Sequence, residues 1–334
     1  MLNFKLTDEQ TALQDMVRKF VQNEVLPVAA KYDESGEFPR PVVNKAFEMG
    51  LMNGIVPTKY GGMGLGVLED VIINEELGAG CLGITTSVAV NNLGLYPIVL
   101  GGTEEQIKRF VTPFMSEPLL ASFCLTEPGS GSDAGSLSTQ AKDMGDHWLV
   151  NGSKMWITNA GHASLFTVFA TTDKTLKSKG IVCLAMDTKS PGITLGKHEN
   201  KLGQRASDTR AITFENVKVP KENQIGKVGD GFKIALKTLD HTRPAISAGA
   251  VGAARSAMEY SIKYAKERKQ FGQAIGEFQL MQGKIADMYS TMMACKAYVY
   301  AVGEACVRAK TPEATRALRK DAAGAILYSA EKAT

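Results

Sequence analysis

The stretch CLTEPGSGSD, residues 124–133, has the residue types of a ligand-binding loop. Thr126, Gly131 and Ser132 offer hydroxyls and unobstructed backbone N–H groups directly after a short apolar run. Such a set of donors suits an anion or the acceptor edge of a ring. The alternative is a glycine-rich turn in which Asp133 caps the next element. A nucleotide-phosphate loop is not indicated, because no GxGxxG lies between a strand and a helix and no GxxxxGK[ST] occurs.

The stretch KMWITNAG, residues 154–161, combines a flat aromatic side chain with a hydroxyl. Trp156 and Thr158 are two positions apart, so in a β-strand they point to the same face. One rigid aromatic and one hydroxyl on a shared face suit a planar heteroaromatic ring. The alternative is that Trp156 packs in the core.

The stretch ERKQFG, residues 267–272, places a guanidinium near an aromatic ring. Arg268 and Phe271 are three positions apart, which predicts a shared face on a helix. That pair suits a pyrophosphate and an adenine. The alternative is an exposed arginine beside a phenylalanine of the core.

The stretch LDHTRP, residues 239–244, lies near the start of a predicted long helix. Asp240 and Arg243 are three positions apart, and as a surface ion pair they would contribute little to stability. The other interpretation is a polar binding site, in which Arg243 would suit a phosphate.

Composition excludes several classes of function. Net charge is only +3 with scattered basic residues, and aromatic residues make up 7%, so no nucleic-acid surface is indicated. No apolar run approaches the roughly 20 residues of a membrane span, so none is expected. The N-terminus resembles neither a signal nor a transit peptide, which favours a cytosolic or processed organellar protein. Five cysteines lack metal-ligand spacing and predict buried thiols in a reducing compartment: Cys81, Cys124, Cys183, Cys295 and Cys306.

Three segments differ in their hydrophobic period. Residues 1–118 carry a helical period, with capping-box patterns at Thr7 and Thr103. Residues 119–228 consist of short β-branched and aromatic runs separated by turn residues, which predicts an antiparallel sheet domain. From residue 229 to 334 long helical patterns with short connections predict a helix bundle. The fold class is therefore α+β, mostly α.

Taken together, these motifs resemble the acyl-CoA dehydrogenase family over essentially the whole chain. The stretches TEPGSGSD, KMWITNAG, GQRASDTRAITFENVKVP, LDHTRP and ERKQFG stand in the order and spacing of that family. The first two thirds look most similar to its medium-chain enzymes, and FQLMQGKIADMYSTMMACKAYVY looks more like the isovaleryl-CoA branch. The resemblance implies an N-terminal helical domain, a middle antiparallel β-domain and a C-terminal helical bundle, here incomplete.

The resemblance also implies FAD as cofactor and a set of contact residues. Positions matching those that touch the flavin are Phe123, Leu125, Thr126, Gly131 and Ser132, with Trp156 and Thr158 beside its ring system. Positions matching those that reach the FAD of a neighbouring subunit are Arg268, Phe271 and Gln279. Positions matching those that contact the CoA part of the substrate are Ser132, Asp240 and Arg243. No metal site is expected.

The activity implied is that of an oxidoreductase of fatty acid β-oxidation and lipid metabolism. A flavoprotein of this family converts an acyl-CoA to the trans-2-enoyl-CoA and passes electrons to electron-transferring flavoprotein. We expect a short- to medium-length straight acyl chain, a homotetramer, and either the bacterial cytoplasm or, for a processed eukaryotic chain, the mitochondrial matrix.

The resemblance stops at the catalytic base. The family's glutamate usually lies in a segment like YEGTSQ, so it is expected beyond residue 334, and no catalytic residue is assigned within the chain. A minority of members place it in the helix containing LDHTRP, where this sequence has Thr242. Three interpretations stay open: an incomplete sequence of an ordinary enzyme, a catalytically silent paralogue acting in assembly or as a scaffold, and base-independent flavin chemistry.

Overall fold

The structure is a computed structural model that describes residues 5–309 and 311–334. The chain divides into two compact units. The first, the helical unit, comprises Met1–Ala30, Gly66–Thr85 and Arg243–Thr334. The second, the sheet unit, comprises Lys31–Leu65 and Thr86–Thr242. The predicted domain boundaries after residues 118 and 228 stay predictions.

Helices dominate the described residues at both ends of the chain. The α-helices are α1 (Asp8–Phe20), α2 (Leu26–Ser35), α3 (Arg40–Glu48), α4 (Val67–Gly80), α5 (Leu82–Gly101), α6 (Glu104–Phe110), α7 (Pro113–Ser116), α8 (Gly231–Glu267), α9 (Gln279–Arg308), α10 (Pro312–Ala317) and α11 (Arg319–Ala333). Short 3₁₀ turns occupy Thr58–Tyr60, Lys174–Gly180, Lys221–Asn223 and Ile275–Glu277.

Both predicted capping boxes are confirmed. The Thr7 hydroxyl accepts the Gln10 N–H at 3.2 Å, and the Gln10 side chain accepts the Thr7 N–H at 3.1 Å. Thr103 and Gln106 make the same pair of hydrogen bonds at the start of α6. Each box satisfies two backbone donors that a helix start leaves without partners.

Pro27 does not end the first helical segment. A π-helical turn, Val21–Val25, joins α1 to α2, and the Leu26 N–H bonds the Val21 carbonyl. Pro27 then falls in the first turn of α2, directly after the π-helical turn. Helical structure therefore continues to Ser35.

The main sheet has eight strands in the order β6-β7-β3-β2-β4-β5-β8, with β1 paired to β4. The strands are β1 (Ala121–Cys124), β2 (Gln140–Asp143), β3 (His147–Thr158), β4 (Leu165–Thr171), β5 (Ile181–Asp187), β6 (Ile193–His198), β7 (Thr209–Pro220) and β8 (Gln224–Ile225). Most pairs are antiparallel, as predicted. The exceptions are β1 and β2, which both run parallel to β4 along one of its edges.

The sheet is buried on both faces at its centre. Every residue of β4 is buried. One face packs Phe166, Val168 and their neighbours within the sheet. The other packs Phe169 and Leu165 against apolar side chains of α5, α7 and the start of α8. This double burial explains why β4 reads as a continuous apolar run rather than an alternating one.

Helix α5 meets the length and composition of a membrane span, with a mean hydropathy of 1.2 over its most apolar window. The expectation that no apolar run approaches that length is therefore wrong for α5. Of that window 67% is buried within the protein, and one such helix is weak support for a span. A helix that is buried on nearly all sides is apolar around its whole circumference, and α5 has this property as a core helix of the protein.

Candidate functional site

The predicted ligand loop begins where β1 ends, at Cys124. Glu127 and Ser130 exchange two backbone hydrogen bonds of 3.0 and 3.1 Å around the Pro128–Gly129 turn. The Ser130 hydroxyl then donates to the Asp133 carbonyl at 2.6 Å. These local bonds give the loop one defined backbone path, although Gly131 and Ser132 are exposed.

The backbone of this loop is open to an incoming ligand. A methyl group built on Gly129 or Gly131 would meet nothing within 4 Å. The Ser132 side chain is exposed, whereas Leu125 is buried and Phe123 and Thr126 are partly buried. The predicted contact positions are therefore apolar and mostly buried at the end of β1, and polar and exposed in the loop that follows.

Trp156 lies on a β-bulge of β3. Pairing of β3 with β7 shifts register between Lys154 and Ile157, and Trp156 takes φ +61°. A positive φ at a tryptophan is an outlier that neighbouring structure must hold in place. The Trp156 side chain is 55% exposed, whereas Ile157 is buried. The alternative that Trp156 packs in the core is therefore wrong, and Thr158 on the same strand is also partly exposed.

At the last regular pair before the bulge lies a charged side chain, Lys154, that the sequence analysis did not identify. Lys154 is 0% exposed, and its Nζ donates to the Leu125 carbonyl at 3.0 Å and to Glu127 Oε1 at 2.7 Å. Burial, the largest cause, disfavours the charge on Glu127. Its attraction to Lys154 and its hydrogen bonds outweigh this and hold the pKa of that carboxyl below its usual range. The signal available in the sequence was a lysine directly before the strand-like run of residues 155–158.

Asp240 lies in α8, partly buried, close to two other side chains of interest. Thr242 is nearly buried, and its hydroxyl donates to the Thr238 carbonyl one turn earlier at 3.1 Å. His241 is tied to Tyr96, whose hydroxyl lies 3.3 Å from the His241 Nδ1. Burial lowers the pKa of His241. His241 thus has a structural contact.

In the helical unit, Arg243 is a partly buried residue of α8, and the other predicted residues lie beyond the end of that helix. The expectation that Arg268 and Phe271 share a helix face is wrong. α8 ends at Glu267, and Lys269–Gln270 (β9) pairs with Gln273–Ala274 (β10).

The reason is the turn of that hairpin. Phe271 and Gly272 both have positive φ, +52° and +83°, as a two-residue hairpin of type I′ requires. Phe271 is consequently 95% exposed at the hairpin tip. Gln279 follows as the first residue of α9 and is exposed.

Among the residues that the structure describes, no group of three or more His, Cys, Asp or Glu side chains is arranged to hold a metal ion. The described cysteines are all free thiols, and three of them are buried: Cys124, Cys183 and Cys295.

Comparison with known proteins places these features in one family. Models of the acyl-CoA dehydrogenase N-terminal, middle and C-terminal domains match residues 7–118, 122–217 and 229–333. The chain is 43% identical over 290 residues to the probable medium-chain specific acyl-CoA dehydrogenase 2, mitochondrial, of Caenorhabditis briggsae, covering 86% of this chain and 71% of that protein.

Two solved structures share the fold at a TM-score of 0.94. One is butyryl-CoA dehydrogenase from Megasphaera elsdenii, 33% identical, with 99% of this chain and 86% of that chain covered. The other is a chain of a structure of the electron transferring flavoprotein of Acidaminococcus fermentans, 36% identical with the same coverage. The predicted fold class is thereby confirmed, and the chain belongs to the acyl-CoA dehydrogenase family.

Proposed function

We propose that this chain dehydrogenates short- to medium-length straight-chain acyl-CoA thioesters to trans-2-enoyl-CoA and delivers the electrons to electron-transferring flavoprotein. Members of its family are FAD-dependent oxidoreductases that act on acyl-CoA. The observation that carries the proposal is the exposed Trp156 ring on a bulge whose backbone is hydrogen-bonded to the open loop 125–132.

The described residues fit FAD. An exposed aromatic plane at Trp156 suits the face of the flavin ring, and the Thr158 hydroxyl suits a polar atom at its edge. The backbone at Gly131 is open because no group fills the space where a side chain would stand. We assign the flavin to this surface, with Phe123, Leu125, Thr126, Gly131, Ser132, Trp156 and Thr158 as contacts.

FAD, when bound, supplies the acceptor for the hydride that leaves the substrate β-carbon. The protein's own contribution is to bind and orient the thioester and to exclude water. We propose that Ser132 and Asp240 hydrogen-bond the pantetheine part of CoA and that Arg243 binds a phosphate, since a guanidinium matches phosphate oxygens in geometry and charge.

The proton acceptor at the α-carbon is the part of the mechanism that this chain's described residues leave unassigned. Thr242 stands where a minority of the family has its glutamate, and its hydroxyl is engaged by the Thr238 carbonyl. A hydroxyl with a normal pKa cannot serve as a general base for a weak carbon acid, whereas a desolvated carboxylate can. Dehydrogenation requires a base at the α-carbon, whereas a silent paralogue and base-independent flavin chemistry do not. The presence or absence of this base therefore distinguishes the alternatives.

Chain length, electron acceptor and location rest on the relatives. One is named medium-chain specific and mitochondrial, and another acts on butyryl-CoA. These support short to medium acyl chains, and a matrix location if the source is eukaryotic or a cytoplasmic one if it is bacterial. The likeness to a chain in an electron transferring flavoprotein structure supports that acceptor.

The test is an anaerobic titration of the purified, FAD-loaded 334-residue chain with butyryl-CoA and octanoyl-CoA, with an intact mass on the same sample. Loss of the flavin's visible band means dehydrogenation and identifies the preferred length. If the flavin stays oxidised while acyl-CoA binds, we expect Thr242→Glu to confer bleaching and Thr242→Gln, of equal size, to confer none. A flavin that reacts with oxygen or a sulfinate but never with acyl-CoA, in either variant, contradicts the proposal.

A further inference from the structure

Lys154 is among the largest fully buried side chains of the described residues, and a buried ammonium needs a strong reason to be there. Removing one from water costs several kcal/mol even after relaxation. Its ammonium donates to two oxygens, the Leu125 carbonyl and Glu127 Oε1, both on the loop after β1. Leu125 is a predicted flavin contact, and Glu127 follows another, Thr126.

Glu127 extends this bond across the whole loop. Besides Lys154, its carboxylate accepts the backbone N–H of Ser138 at 2.6 Å and of Thr139 at 3.0 Å. Ser138 and Thr139 directly precede β2, so one carboxylate joins the start of the loop to its end. The loop between them carries Gly131 and Ser132, and this buried carboxylate holds its two ends together.

The same lysine is also anchored to the bulge. It precedes Trp156 by two residues, at the last regular pair before the register shift. The residue between them, Met155, donates its backbone N–H to the Thr126 carbonyl at 2.9 Å. One main-chain hydrogen bond and one buried ion pair thus hold the strained bulge at Trp156 against the ligand loop.

An ion pair in this position differs from a simple stabilising contact. Replacing buried ion pairs by apolar side chains of similar size is often neutral for stability, because the desolvation cost offsets the attraction. Apolar side chains cannot reproduce directional hydrogen bonds. The Lys154 ammonium donates to two oxygens of the loop and so fixes their positions relative to β3. The geometry of Leu125, Thr126 and Trp156 is the property that depends on the charge.

We propose that Lys154, paired with Glu127, is a positioning residue that sets the loop 125–132 and the Trp156 bulge in the one relative geometry that binds FAD. This rests on the assignment of the flavin to these segments in the proposed function. Lys154 touches neither flavin nor substrate in this proposal and acts through the backbone it holds.

The experiment measures FAD binding by apoprotein, which needs no turnover. Lys154→Met removes the charge at similar length, Glu127→Gln removes the partner charge at equal size, and the double variant removes both. Lys296→Met is the matched control, because Lys296 pairs with the buried Glu75 at 2.9 Å within the helical unit. The FAD dissociation constant, far-ultraviolet circular dichroism and Tm are recorded for each.

We expect Lys154→Met and Glu127→Gln each to weaken FAD binding about tenfold or more, the double variant to be no weaker than the single ones, and Lys296→Met to stay within about twofold of wild type. Circular dichroism of the apoprotein should stay native. An unchanged dissociation constant alongside a lowered Tm overturns the proposal. So does failure of Glu127→Gln to fold, because the pair is then a requirement of folding.

Failure of this proposal can be told apart from failure of the proposed function. If wild type binds FAD but acyl-CoA never reduces it, the function is wrong while the dissociation constants still test Lys154. If wild-type apoprotein binds no FAD under any condition, the assignment of the flavin surface is wrong, and the positioning role is overturned with it.

Discussion

Asp70 lies in α4 with a nearly buried side chain, and burial raises its pKa to about 7. Asn74, which donates to Asp70 Oδ1 at 3.0 Å, opposes that shift only in part. The unfolded chain loses this proton near the ordinary value of 3.8. Between those two values the folded chain holds a proton that the unfolded chain has released, so folding is progressively disfavoured as the pH rises.

We therefore expect Asp70→Asn to gain stability relative to wild type as pH rises from 5 to 8, by on the order of 2 kcal/mol, most of it below pH 7. The direction is opposite to that of a salt-bridged carboxylate, which stabilises more as pH rises. Urea unfolding of both proteins at pH 5, 6, 7 and 8 measures the difference.

Asp287→Asn, at an exposed position of α9, serves as the control for a lost carboxylate. Parallel stability curves for Asp70→Asn and wild type across this range would mean that Asp70 is ionised in the folded chain.

At the scale of elements, α4 and α8 of the helical unit approach each other through glycines. A methyl group on Gly252 would lie 2.0 Å from the Glu75 carbonyl oxygen and 2.7 Å from the Ala79 nitrogen, and one on Gly78 would lie 2.4 Å from the Gly249 carbonyl oxygen. Real side chains do not approach backbone this closely, so the two helices pack backbone to backbone.

The buried acids of α4 lie among cations of the helical unit, and one of these cations, Arg255, is on α8. Glu75 lies 2.9 Å from the Lys296 Nζ, and Glu76 lies 2.7 Å from Arg255 and 2.9 Å from Arg18. Buried charges are tolerated when they are paired, and the pairing of Glu76 with Arg255 depends on the close approach of α8 to α4.

Gly252→Ala should therefore destabilise the protein by about 2 kcal/mol or more, because overpacking forces the helices apart. Gly283→Ala is the matched control: it is also a helical glycine, in α9, with nothing within 4 Å of its added methyl group. We expect it to stabilise by about 0.5–1 kcal/mol through helix propensity alone. Equal effects of the two changes in urea unfolding would contradict the close packing of α4 on α8.

At the scale of the whole molecule, the helical unit exposes a set of large apolar side chains on α8, α9 and the hairpin between them. They are Tyr260, Tyr264, Phe271, Leu280, Tyr289 and Met293. Exposed apolar groups in such number are typical of surfaces that another protein covers. Tetramers are typical of the family, and the resemblance places Arg268, Phe271 and Gln279 against the FAD of a neighbouring subunit.

We predict a homotetramer in solution that Leu280→Asp dissociates to smaller species, because a buried unpaired charge would cost several kcal/mol at each interface copy. FAD retention should fall with it, since the neighbouring subunit's contacts are lost. Sedimentation velocity with absorbance at a flavin wavelength measures both. Leu176→Asp, an exposed leucine of the sheet unit, is the control; a wild-type monomer that retains FAD would contradict this assembly.

Several features of the fold could be predicted from the sequence alone. The capping boxes at Thr7 and Thr103, the strand-rich segment and the family motifs are local, since each depends on residues a few positions apart. Local hydrogen bonds and hydrophobic period therefore predicted the helical and strand-rich segments and the fold class, whereas the candidate site was predicted from the residue types of the motifs and from the family resemblance.

Only the tertiary structure decided how those segments are held. A hairpin stands at Phe271 where a helix was predicted, because Phe271 and Gly272 take positive φ beyond the end of α8 at Glu267. Trp156 lies at the register shift between β3 and β7. Lys154 meets Glu127 across 27 positions of the chain, a contact that depends on strand order. The burial of Lys154, the register shift at Trp156 and a partner so distant in the chain cannot be predicted from neighbouring residues. They arise only when the strands assemble into the sheet.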